Sequence, residues 1–229
     1  MPKRKSNLSA VWDRRSSGQR VALYIRSLIF EGELRSGDRV PQDEIAAALG
    51  LSRLPVREAI IALEHEGLLT IEPHRGVFIN PLTPDTLRDQ YELFGANVGI
   101  AVRLAARRGG EAFIEDLSKV HARMAAASDA DEFDKASDEF QSLIIATADS
   151  PRLRAVLRVL AGIVPGNFFV EVPGALEIQS AGLAAMMNAL RQHDSGRAAD
   201  EYLRMMRSQA EAVVGLLTRR GFFSEKLPD

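Results

Sequence analysis

Two arginines, Arg53 and Arg57, stand four residues apart at the start of a predicted helix in the segment LGLSRLPVREAI. Residues at positions i and i+4 share one face of a helix, so we expect both guanidinium groups to project together. A guanidinium can donate two hydrogen bonds to guanine O6 and N7 or can clamp a phosphate, and this is the chemistry of nucleic-acid binding. The alternative is structural: the two arginines form surface ion pairs with Glu58 or Glu64, or stay solvated.

Ser52 and Pro55 predict where this helix begins. Serine is a favoured N-cap residue, and a proline in the first turn removes an amide hydrogen that has no partner inside the helix. The apolar residues that follow at helical spacing, and that predict the buried face, are Val56, Ala59, Ile60 and Leu63. The arginines are therefore expected on the opposite, exposed face.

The flanking segments predict two further helices and a β-hairpin. Apolar spacing predicts a helix over residues 17–30, followed by a short helix that ends at Gly50, which we expect to adopt a left-handed capping conformation. Two β-prone runs, 68–72 and 77–80, are separated by PHRG and predict a hairpin. Helix, helix, turn, helix and hairpin is the order of elements in a winged helix-turn-helix.

The rest of the chain predicts alanine-rich amphipathic helices. Their expected ranges are roughly 85–108, 111–127, 131–148, 151–163, 175–193 and 196–220. The fold class is therefore mainly α, with an N-terminal winged helix-turn-helix that carries a small β-hairpin wing and a C-terminal all-α antiparallel helical bundle. The expected divisions are a basic arm over 1–15, the winged helix-turn-helix over 16–82, the helical domain over 83–222 and a tail over 223–229.

The composition excludes several classes of function. The 229 residues include no cysteine, which excludes disulfides, thiolate nucleophiles and thiolate-bound metal centres. No phosphate-binding glycine loop, HExxH sequence or nucleophile elbow is present, so we do not expect an enzyme. With no apolar run of about 20 residues and no signal-peptide pattern, we expect a cytoplasmic protein without a membrane partner. Six basic side chains among the first 20 residues either bind a polyanion or form a solvated tail.

The first 80 residues resemble the winged-helix domain of the GntR family of bacterial transcription regulators. The resemblance lies in IFEGELRSGDRV and in DEIAAALGLSRLPVREAIIALEHEGLLTIEPHRGVFI. The helical remainder resembles the FadR-type effector domain, called FCD, in YELFGANVGIAVRLAARR, in DEFQSLI with ADSPRL, and in MNALRQHDSGRAADEYLRMM. The resemblance implies a DNA-binding transcription regulator, expected to be a repressor, which binds a palindromic operator as a homodimer.

The resemblance also implies which residues contact DNA. The expected contacts are Ser52, Arg53, Leu54 and Arg57 from the recognition helix and His74, Arg75 and Gly76 from the wing. A glycine in the wing would allow its backbone to approach the minor groove closely. One departure is Asp43, at a position where the family often has a basic residue. An acidic side chain there should weaken phosphate attraction locally or alter the preferred site.

The helical domain departs from the family at its metal site. Many FCD domains bind a divalent metal through an Asp and a His four residues apart and two histidines from later helices. The corresponding residues here are Ser137, Gln141, Leu183 and Met205 or Met206. Only His121 and His193 remain outside the DNA-binding segment, so we expect no metal and no other cofactor.

The expected effector pocket is more apolar than is usual in the family. Where related domains carry an Arg and a Glu that bind an acidic ligand, YELFGANV places Phe94 and Val98. The expected lining is Phe94, Asn97, Val98, Ser137, Gln141, Leu183, Met205 and Met206. We therefore expect a small apolar or amphipathic effector of the acyl-chain or aromatic kind. The alternative is a pocket filled by side chains in a ligand-blind DNA-binding protein.

Overall fold

The chain divides into two compact units. A computed structural model describes residues 16–127, 130–160 and 172–223, so the predicted arm over 1–15 and most of the predicted tail lie outside the described residues. Described residues up to Leu82 belong to the first unit, and those from Thr83 onward belong to the second. The mainly helical fold class with one small sheet is confirmed.

The first unit contains three helices and a two-stranded antiparallel sheet. The elements are α1 (Ser17–Phe30), α2 (Gln42–Leu49), α3 (Arg53–His65), β1 (Leu69–Glu72) and β2 (Gly76–Ile79). In the sheet, Leu69 lies opposite Ile79 and Glu72 lies opposite Gly76. The chain before α2 extends this sheet, because the Val40 amide donates to the carbonyl of Val77 at 2.8 Å.

The turn between α2 and α3 forms as the sequence predicts, with one difference at the cap. Gly50 ends α2 with φ +64°, the left-handed conformation that glycine adopts without steric cost. Ser52 occupies the N-cap position of α3 with extended backbone, but its side chain makes no capping hydrogen bond. Pro55 is the third residue of α3, where no intrahelical donor is lost.

The core of the first unit fixes how α3 is rotated. The residues of α3 that are at most 3 % exposed are Val56, Ala59, Ile60 and Leu63. The α3 helix contacts α1, α2 and β1, and the buried apolar side chains of those elements include Val21, Ile25, Ile29, Ile45 and Leu69. Full burial of one Leu or Ile side chain stabilises a fold by about 1.5–3 kcal/mol, so turning this face outward would be costly.

A buried ion pair ties α1 to the end of α3. Arg26 donates to the carboxylate of Glu66, and the two side chains are 8 % and 15 % exposed. Burial raises the pKa of the Glu66 carboxyl above its usual value, and the adjacent Arg26 guanidinium opposes that rise. Loss of either partner would leave a buried charge uncompensated, so this pair restrains the position of α3.

The second unit is all-helical among its described residues. Its helices are α4 (Pro84–Ala125), α5 (Ala130–Thr147), α6 (Pro151–Leu160), α7 (Ala175–Arg191) and α8 (Ser195–Arg219). The sequence predicted two helices where α4 runs, and the backbone is non-helical at the predicted break, with φ +55° at Gly110. The predicted end of the helix over 151–163 lies outside the described residues. No helix within the described ranges has the length and apolar character needed to cross a membrane.

Small residues let α8 approach its neighbours closely. A Cβ added to Gly182 of α7 would lie 2.5 Å from the Cβ of Met205, and one added to Gly95 of α4 would lie 2.9 Å from the Cβ of Met206. Real Cβ atoms do not approach so closely, so both glycines are needed where α8 packs.

We predict that Gly182→Ala destabilises the protein. Overpacking lowers the free energy of unfolding by about 1–3 kcal/mol. The higher helix propensity of alanine raises it by at most about 1 kcal/mol, so the net effect is destabilising. Urea unfolding followed by far-ultraviolet circular dichroism should show a lower midpoint for Gly182→Ala. Gly196→Ala in α8 is the matched control, because its nearest neighbour is 3.5 Å away, and its midpoint should not fall. Equal midpoints for the two variants would contradict the packing described.

Candidate functional site

The start of α3 presents three predicted site residues to solvent. Arg53, Leu54 and Arg57 are all exposed, and Leu54 is 65 % exposed despite its apolar side chain. Among the described residues, no hydrogen bond or ion pair involves the guanidinium of Arg57. The first two turns of α3 therefore present an apolar side chain and a cation that has no partner among the described residues.

Arg53 has a partner that the sequence did not predict. Its Nε lies 2.8 Å from Oδ1 of Asp43, and its Nη2 donates to Oδ2 at 3.0 Å. The suggested pairing of Arg53 with Glu58 or Glu64 is wrong, and Glu64 instead accepts a hydrogen bond from the Ile71 amide at 3.2 Å. Asp43 and Arg53 thus form a two-point ion pair that joins the first turn of α2 to the first turn of α3.

The hairpin turn carries the other predicted DNA-binding residues. His74 is exposed and has φ +63°, a left-handed conformation that is uncommon outside glycine. Arg75 forms an ion pair with Glu72, and its guanidinium carbon lies 5.7 Å from the centre of the Phe78 ring. The charge of Arg75 is therefore partly engaged within the hairpin itself.

Arg39 is a wing residue that was not among the predicted contacts. It pairs with Phe78 across the edge of β2, and a Cβ added to Gly76 would lie 2.6 Å from the Arg39 Nε. Gly76 thus makes room for a guanidinium as well as adopting φ +127°. In the sequence, Arg39 lies in the RSGDRV segment before α2, and nothing in that segment indicates that it pairs with the wing.

The predicted effector-pocket residues divide into two groups. Val98, Leu183, Met205 and Met206 belong to the buried core of the second unit, and Phe94 packs against that core. The polar residues bond to protein groups: Gln179 Nε2 donates to Ser137 Oγ at 3.1 Å, and Asn97 donates to the Leu93 carbonyl at 2.7 Å. Gln141 is half-buried on α5, one turn after Ser137.

The described parts of the two units contain no candidate metal site. Over 16–127, 130–160 and 172–223, no group of three or more His, Cys, Asp or Glu residues could hold a metal ion. His193 lies 3.3 Å from Glu111, and His121 lies beside Phe140.

Comparison with protein families identifies both halves of the chain. The model for bacterial regulatory proteins of the gntR family matches residues 17–79, and the FCD domain model matches residues 99–208. The chain belongs to the GntR family. This family consists of transcription regulators and not of enzymes, as the sequence predicted.

Relatives of this GntR-family chain carry regulator names. An uncharacterised HTH-type transcriptional regulator of Mycobacterium tuberculosis is 33 % identical over 150 residues, which cover 66 % of this chain and 62 % of the relative. The gluconate operon transcriptional repressor of Bacillus subtilis is 29 % identical over 151 residues, covering 64 % and 62 % respectively. The chain thus spans somewhat less than two thirds of the length of these relatives.

A solved structure shares the fold of this GntR-family chain. E. coli McbR/YncC superposes with a TM-score of 0.61 at 18 % identity, over 90 % of this chain and 99 % of that protein. At this level of identity the similarity concerns the fold alone.

We predict that Gly76→Ala loosens the wing, because the added methyl group meets Arg39 and the backbone is strained for alanine. If the substitution lowers the free energy of local opening by about 1–2 kcal/mol, amide exchange in β2 becomes roughly five- to thirtyfold faster. Hydrogen-exchange mass spectrometry measures this rate. Adding Arg39→Ala should restore part of the protection. Equal exchange in Gly76→Ala with and without Arg39 would show that the guanidinium does not require the glycine.

Proposed function

We propose that this GntR-family chain binds double-stranded operator DNA through its first unit and regulates transcription. The proposed contacts are Ser52, Arg53, Leu54 and Arg57 from α3 and Arg39, His74, Arg75 and Gly76 from the wing. The observation that carries the proposal is the exposed Arg57, which has no partner among the described residues and lies in the first two turns of a helix whose opposite face is buried. A DNA-reading helix needs that arrangement, because its outer face must enter the major groove.

The electrostatics of α3 support this proposal. The unpaired amide hydrogens at a helix N-terminus carry a partial positive charge, which favours phosphate nearby. Arg57 adds a full positive charge one turn further along α3. The exposed Leu54 offers an apolar contact of the kind that a thymine methyl group can accept. Together these groups suit a duplex that presents phosphates beside base edges.

The proposed assembly is a homodimer on a palindromic site. One winged helix makes few base contacts, so two copies on half-sites about one helical turn apart would add their binding free energies. We propose that the regulator is a repressor. The similarity to the gluconate operon repressor of Bacillus subtilis supports that direction, since a dimer bound over a promoter blocks transcription.

We also propose that the second unit binds a small apolar or amphipathic effector without a metal. The apolar character of Phe94, Val98 and Leu183 supports this class of ligand. A ligand-blind second unit is the competing proposal, and it is favoured by the close contacts that Met205 and Met206 already make with glycines. The second unit would then serve dimerisation alone.

We predict that Arg57→Ala weakens binding to DNA. The probe is a duplex that the wild-type protein enriches from a random-sequence library, and the dissociation constant is measured from low to moderate salt. Loss of one guanidinium contact should weaken binding roughly 5- to 150-fold and, if the contact is to phosphate, lower the salt slope by about one. Arg107→Ala removes an equal charge from the exposed surface of α4 and is the control. Unchanged affinity for Arg57→Ala at every salt concentration would refute the assignment of α3.

A thermal-shift screen decides between the two proposals for the second unit. If an effector site is present, fatty acyl or aromatic compounds should raise the melting temperature, because binding to the folded state stabilises it. Citrate and gluconate serve as acidic controls. Stabilisation by those acids but by no acyl or aromatic compound would refute the apolar effector, and no response to any compound would favour the ligand-blind unit.

A further inference from the structure

We infer that Asp43 is a positioning residue that holds Arg53 in the orientation needed to read a guanine. This inference rests on the proposed DNA-binding function. It starts from the two-point contact described above, in which Asp43 engages both Nε and Nη2 of the Arg53 guanidinium. The residues come from different helices, so their meeting reflects the fold of the helix-turn-helix.

The contact leaves the base-reading edge of the guanidinium available. A guanidinium carries five N–H groups, and the pair with Asp43 uses the one on Nε and one on Nη2. Both hydrogens of Nη1 and the second hydrogen of Nη2 remain. Those groups form the end of the planar fork, and a planar fork can donate in parallel to O6 and N7 of a guanine. Asp43 can therefore stay bound while Arg53 contacts a base.

The pair also changes what Arg53 is suited to bind. A carboxylate beside the guanidinium reduces the positive potential that would attract a phosphate, but it does not block hydrogen bonding at the far edge. Arg57 has no such partner in the described structure. The two arginines are therefore expected to differ in role, with Arg53 reading a base and Arg57 supplying most of the charge.

Stability of the fold does not explain this ion pair. The side chains of Arg53 and Asp43 are 82 % and 70 % exposed, and ion pairs in water at such exposure add little to folding. What the pair does restrict is the conformational freedom of a long, flexible side chain. A restricted arginine loses less entropy on binding, so the effect of Asp43 should appear in DNA recognition.

The test compares base discrimination among variants at position 43. Wild-type protein, Asp43→Asn, Asp43→Ala and Arg53→Ala are each measured on the enriched duplex and on duplexes with one base pair changed at a time. Glu44→Gln is the matched control, because Glu44 is the exposed neighbour on α2 and its loss removes one negative charge without touching Arg53. Thermal unfolding checks that each variant is folded.

We expect Arg53→Ala to lose discrimination at one G·C pair per half-site. In Asp43→Ala, the affinity ratio between the enriched duplex and the duplex changed at that same pair should fall at least about threefold. In Asp43→Asn the ratio should fall less, since an amide oxygen can still accept one hydrogen bond. Glu44→Gln should keep the wild-type ratio. A gain in affinity for all duplexes alike, with unchanged ratios in the Asp43 variants, would overturn the inference, because Asp43 would then act only as a repulsive charge.

Other outcomes separate this inference from the proposed function. If Arg53→Ala changes no base preference while Arg57→Ala still weakens binding as predicted, the guanine-reading role fails and the DNA-binding function stands. If wild-type protein enriches no sequence from the library, both fail together.

Discussion

Burial of one face of α3 is the constraint on which the proposed DNA-binding surface depends. Val56, Ile60 and Leu63 are almost wholly excluded from solvent, and the buried pair of Arg26 with Glu66 restrains the far end of the helix. The rotation of α3 about its axis is therefore fixed by the core. Because helical residues three or four apart share a face, fixing the buried side also fixes which side chains must face outward.

The two outward-facing arginines of α3 are the same residue type but have different surroundings. Arg53 is held by Asp43, whereas Arg57 is free of partners among the described residues. A comparable division occurs in the wing, where Arg75 is paired with Glu72 and Arg39 lies against Gly76. In each proposed contact region one arginine is paired with a carboxylate, and the other has no ion pair among the described residues. Such an arrangement separates orientation of a side chain from attraction to phosphate, two requirements that a single arginine meets less well.

The sequence predicted those features that depend on local spacing. Apolar periodicity located the helices, Gly50 marked the left-handed turn and Gly110 marked the break in α4, because each of these is decided within a few residues. Contacts between elements could not be predicted in the same way. The pairing of Arg53 with Asp43, ten residues earlier, depends on how α2 meets α3. Likewise, the fit of Gly182 to Met205 depends on how α7 packs on α8. A single sequence predicts which face of each helix is buried, but it does not predict which helix packs against that face.

The most direct measurement of the central claim is a structure of the protein bound to the duplex that it enriches from a random library. The account predicts that the first turn of α3 lies in the major groove, with the Nη1 and Nη2 groups of Arg53 about 3 Å from O6 and N7 of a guanine and Asp43 still paired. Arg57 would contact the same duplex. A complex in which DNA contacts another surface, with Arg53 and Arg57 both facing solvent, would contradict the account.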